Sequence, residues 1–137
     1  MPPPVGRGPA PAFRCTEGPL PGPLRVHLEL FAHRRVVVIP PQVGVGDGCR
    51  YPLRTTMPTG VIELGRPGLK LGDFFAVWRT RLSENRLLGF RGPVTAYLGG
   101  KRWTEDPAAI PLFDRAQIVL EVGGYVPPHA FYLFPPR

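Results

Sequence analysis

The side chains able to do chemistry are few and scattered. Histidine stands at His27, His33 and His129, serine only at Ser83, and cysteine at Cys15 and Cys49. No two histidines have the i,i+2 spacing of ligands on a strand or the i,i+4 spacing of ligands on a helix. Ser83 lacks a Gly-x-Ser-x-Gly elbow, and the cysteines lack Cys-x-x-Cys redox spacing. His27 with Glu29 and Glu63 could form an acid–base group if the three share an exposed sheet face, although an ordinary solvated face accounts for the same residues. Gly44-x-Gly46-x-Gly48 looks superficially like a phosphate loop. However, Cys49-Arg50-Tyr51-Pro52 follows where a helix should open, and no Gly-Lys-Ser/Thr is present. Glu105-Asp106 before Pro107 needs only a turn. The expectation is therefore a protein without catalytic residues, cofactor or metal.

Charge points elsewhere. The chain of 137 residues has a formal charge of +7, which invites a polyanion or anionic-ligand reading. The basic residues are scattered and nearly all Arg, with no run of five or six. Lys101 and Arg102 beside Trp103, and Arg86 and Arg91 beside Phe90, are the places where an Arg/aromatic surface for single-stranded nucleic acid would form. The same residue types suit a protein interface.

The elements that position these groups follow from pattern. With 20 Pro and 17 Gly, the chain favours turns, short strands and extended ends over long helices. Residues 1–23 read as a Pro-rich flexible arm. No apolar run in the first residues makes a signal peptide, and no segment reaches the ~18 apolar residues of a membrane span, so the expected location is the cytoplasm. A lone Cys15–Cys49 disulfide and two reduced thiols both fit.

Leu24–Phe31 alternates apolar and polar residues, the period of a half-buried strand, and Arg35–Ile39 is its hairpin partner. Residues 42–59 read as a loop and Gly60–Leu64 as a third strand. Leu71, Phe74, Phe75, Trp78 and Leu82 form one apolar stripe, predicting a helix over 71–82 with Asp73 in its first turn and Arg79 and Arg81 in its last. Residues 83–92 read as loop. Val94–Leu98 turns at Gly99-Gly100 into Lys101–Trp103, and Ala116–Val122 is the last strand, with Ile118, Leu120 and Val122 inward. Hairpin, strand, helix, hairpin, strand describes an α+β domain over 24–124, a small β-grasp-like sheet with one helix packed on one face. The tail 125–137 is aromatic and Pro-rich, too apolar to stay in water, and should lie against the domain or a partner.

The passages VHLELF, CRYPLRTTMPTGVIEL, LGDFFAVW, VTAYLGGKRW and IPLFDRAQIVLEVG resemble a family of small bacterial proteins, largely actinobacterial. Its members carry histidines in HxHL, LHTHD and GIIHIE patterns, beside LGDFFxxW and LEVG motifs. Aligned on these, this chain has Arg25 and His27 in the first pattern, Arg54, Thr55, Thr56 and Met57 in the second, and Glu63 in the third. The family's histidines would gather on one sheet face and could hold a transition metal. Arg25 and Arg54 place positive charge there instead, which opposes a cation and suits an anion or a partner's carboxylate. The resemblance implies no particular activity.

The functional expectation is a non-enzymatic binding module or small accessory subunit that contacts another protein or an anionic ligand. Its contact residues would be Arg25, His27, Arg54, Trp103, Tyr125, Phe131, Tyr132 and Phe134, together with the 42–59 loop. A basic nucleic-acid-binding protein and a degenerate metal-binding protein are the alternatives.

Overall fold

Strict alternation gives Leu24–Ala32 two unlike faces, and these nine residues form the central strand, β1, of the computed structural model, which describes residues 13–16 and 24–136. The chain continues through β2 (Arg35–Val37), a hairpin of β3 (Val45–Gly46) and β4 (Cys49–Arg50), then β5 (Leu53–Arg54) and β6 (Val61–Leu64). After α1 (Leu71–Trp78) comes a three-stranded patch, β7 (Leu82–Ser83), β8 (Arg86–Leu87) and β9 (Phe90–Arg91). The hairpin β10 (Val94–Leu98) and β11 (Lys101–Trp103), a 3-10 turn at Pro107–Ala109 and β12 (Gln117–Val122) complete the order.

The main sheet runs β11-β10-β12-β1-β6-β5, with β2 also paired to β1. β1 lies parallel to β12 along one edge. Along its other edge the first half pairs antiparallel with β6 and the second half with β2. The result is a small mixed α+β fold, mostly strand, with one helix and open sheets.

Val26, Leu28 and Leu30 of β1 join Ile62, Leu64, Ile118 and Leu120 of the neighbouring strands in a core closed by Leu71, Phe74 and Phe75 of α1. Each such side chain contributes roughly 1.5–3 kcal/mol by leaving water. Asp73 accepts from the Lys70 N–H at 2.8 Å, holding the first turn.

The helix is shorter than the apolar stripe predicts. Arg79 adopts the left-handed conformation, its N–H bonding the Ala76 carbonyl while that of Thr80 bonds Phe75. This paired closure terminates the helix at Trp78, so Arg79 and Arg81 lie beyond it and Leu82 opens β7. The expected loops 42–59 and 83–92 also contain structure: the β3–β4 hairpin and edge strand β5 in one, the β7–β9 patch in the other. Two-residue strands are too short to show a period.

Of the Pro-rich arm, residues 13–16 are docked on the domain. Cys15 and Cys49 are disulfide-bonded, with Cα atoms 5.3 Å apart. Thr16 and Arg50 exchange backbone hydrogen bonds of 2.9 and 2.7 Å, and the Arg66 guanidinium lies 4.9 Å above the Phe13 ring. Residues 1–12 and 17–23, where the flexible-arm reading also falls, lie outside the described residues. Among the described residues no helix is long and apolar enough to cross a membrane.

Candidate functional site

The face of β1 away from the helix carries Arg25, His27, Glu29 and Phe31. The strand ladders place Glu63 and then Arg54 beside Arg25, Gln117 beside His27, and Glu121 beside Phe31. This face is not the solvated surface that its polar composition predicts. Arg25 is 9%, His27 6% and Glu121 2% exposed, because the tail 125–136 lies over them. From its start at Gly123-Gly124 the tail runs back along β1. The Val126 N–H bonds Glu121 Oε1 at 3.2 Å. The His129 Nδ1–H reaches Glu29 Oε1 at 2.8 Å, the Tyr132 ring stacks on His27 at 3.6 Å and 9°, and the Arg25 guanidinium lies 5.3 Å over Phe134. Phe134 in turn meets Tyr132 edge-on. Gly123 makes this reversal possible: its φ is 74°, and a side chain there would strike the His33 ring.

Beneath the tail the polar groups form a relay. His27 Nε2 faces the Thr59 carbonyl at 2.9 Å and Nδ1 faces Gln117 Oε1 at 2.7 Å. Gln117 Nε2 donates to Glu29 Oε1 at 2.7 Å, the oxygen that His129 also uses. Since the Gln117 amide gives its N–H to Glu29, its oxygen is left to accept. Both ring nitrogens of His27 thus face oxygen atoms. Gly60 helps position Thr59: it has φ 82°, its carbonyl accepts from Leu28 N–H, and an added Cβ would collide with the Leu28 carbonyl.

His27, Glu29 and Glu63 do not form a direct acid–base group. Gln117 stands between His27 and Glu29, while Glu63 is engaged by Arg54 at 3.5 Å and by the Thr56 hydroxyl at 3.1 Å. The Tyr132 ring occupies the flat face of His27. The cavity at its edge, bounded by Val36, Pro58 and Gly60, measures about 140 Å³, well below the ~300–1,000 Å³ of small-molecule sites. Two cations are incompletely paired: Arg25 Nε and Arg54 Nη1 are buried without a hydrogen-bond partner, as is Glu121 Oε2. Arg25 and Arg54 share this face with the carboxylates of Glu29, Glu63 and Glu121. Among the described residues no three His, Cys, Asp or Glu side chains converge.

Of the expected contact residues, the structure brings together Arg25, His27, Tyr132 and Phe134, with Arg54 joined through Glu63. Trp103 stands apart on β11, half-buried, its indole N–H bonding the Asp106 carbonyl at 2.9 Å. Tyr125 and Phe131 are on the tail's outer side, 61% and 73% exposed. Gln117 and Glu121, central to the covered face, are absent from the sequence-based set. Their signal was the alternation within AQIVLEV, where inward Ile118, Leu120 and Val122 send Gln117 and Glu121 to the opposite face. No protein-family model, no curated protein and no solved structure matches the chain.

Proposed function

We propose that the protein is a non-enzymatic binding module that presents its C-terminal segment to a protein partner. The observation that carries this reading is the alternation in the tail: Tyr132 and Phe134 are seated on His27 and Arg25, while Phe131 and Leu133, which alternate with them, are held outward at 73% and 82% exposure. A free apolar segment would turn such side chains inward. Anchoring the alternate rings prevents that and lowers the entropy lost on docking. The sealed position of His27 supports a recognition role over a catalytic one. The strand order, with the first and last main strands parallel at the centre and the helix in the crossover, supports a β-grasp-like description.

The test replaces Phe131 with the photo-crosslinker benzoylphenylalanine in the protein's own cells, with exposed Pro67 substituted as the control. A discrete adduct at 131 that is absent at 67, and lost when Leu133→Asp is added, is the expected result. Equal labelling at the two positions, or none at 131, would remove the reading.

A further inference from the structure

A second site lies on the helix side of the molecule, independent of the tail. The end of α1 and the β7–β9 patch enclose an open cavity of about 740 Å³. Its floor is apolar, built from Phe75, Ala76 and Leu82, and its rim carries Arg81, Arg86 and Arg91. Arg86 and Arg91 are direct cross-strand neighbours in the β8–β9 ladder, a like-charge arrangement that destabilises a sheet unless something neutralises it. Residues 79–93 include Arg79, Arg81, Arg86 and Arg91 against Glu84 alone. No carboxylate among the described residues lies within ion-pairing distance of any rim arginine.

Three unpaired guanidiniums over an apolar floor of this size are complementary to one kind of occupant. We propose that the cavity binds a small organic anion with an apolar body, a carboxylate or phosphate held by Arg86 and Arg91 and a hydrocarbon or aromatic portion resting on Phe75 and Leu82. Arg is suited to this task because its fork donates two parallel hydrogen bonds to either oxyanion. The apolar body distinguishes such a ligand from an inorganic ion, and the limited extent of the cavity distinguishes it from a polyanion that needs an extended track.

Titrating the intact protein with decanoate, followed by amide chemical shifts, tests the proposal. Saturable shifts centred on Gly92 and Ala108 are expected, with decanol at least about tenfold weaker because it lacks the charge. Arg86→Gln combined with Arg91→Gln should weaken decanoate by about tenfold or more. The decanoate–decanol comparison needs only the wild-type chain, so it decides the matter even if the double variant fails to fold. Equal binding of decanol overturns the proposal in favour of a plain apolar groove. Shifts produced by oligothymidylate but not by decanoate overturn it in favour of a nucleic-acid surface.

Discussion

Glu121 is held on the covered face of β12 with one carboxylate oxygen accepting from Val126 and the other without a partner. Burial pushes its carboxyl above the ordinary value of 4.5, and the Val126 hydrogen bond pulls only part of the way back. Tyr97 shares the small cavity beside it. Burial raises its phenol above 10.0, Glu121 and Tyr125 add to that, and Arg102 opposes it. A carboxyl with a raised folded pKa binds its proton more tightly in the native state than in the unfolded chain. Its contribution to stability is therefore complete below the ordinary carboxyl value and is lost as pH rises through the elevated one. Glu121→Gln removes that titration. Between about pH 4 and about pH 8, the wild-type thermal midpoint should fall relative to that of Glu121→Gln, and parallel curves would sink the assignment. Tyr97 acts with the same sign at the alkaline end.

Among the elements, α1 ends on a residue that its backbone does not favour. Arg79 has φ 62°, where an L-residue other than Asn or Asp pays roughly 1 kcal/mol. Arg79→Gly keeps both closing hydrogen bonds and should raise unfolding free energy by about 0.5–1 kcal/mol in denaturant titration. A loss would mean that the arginine side chain contributes more than the conformation costs. This helix also shows what could be read without coordinates. Its apolar stripe located it and Asp73 marked its start, because periodicity and capping are local properties. Its end is not legible in the sequence because the left-handed stop falls on Arg rather than Gly, leaving no compositional mark. The same holds for β5 and β7–β9: their short ladders depend on neighbours distant in sequence. The candidate site divides similarly. Arg25 and His27 were visible as the polar half of an alternating strand. Their burial was not visible, since it depends on where thirteen residues without regular periodicity settle.

At the scale of the molecule, the Cys15–Cys49 bond fastens residues 13–16 to the β3–β4 hairpin across a sequence separation of 34. Closing a loop of that size restricts the unfolded chain by at most about 3–4 kcal/mol. Adding reductant should lower the denaturation midpoint by a corresponding amount. An unmoved midpoint would show that the Thr16–Arg50 pairing and Phe13 packing hold the arm unaided.

The central position of the parallel β1–β12 pair has a consequence for synthesis. His27 and Gln117 touch across 90 residues, so on the ribosome β1 emerges long before the strand that covers its edge. During that interval Val26, Leu28 and Leu30 can pair with β6 and β2 on one side only. The other edge stays open to any neighbouring extended chain until residues 117–122 clear the exit tunnel. The basic and histidine side chains on the opposite face of β1 also stay wet through this interval. That keeps one side of an otherwise aggregation-prone strand soluble while it waits.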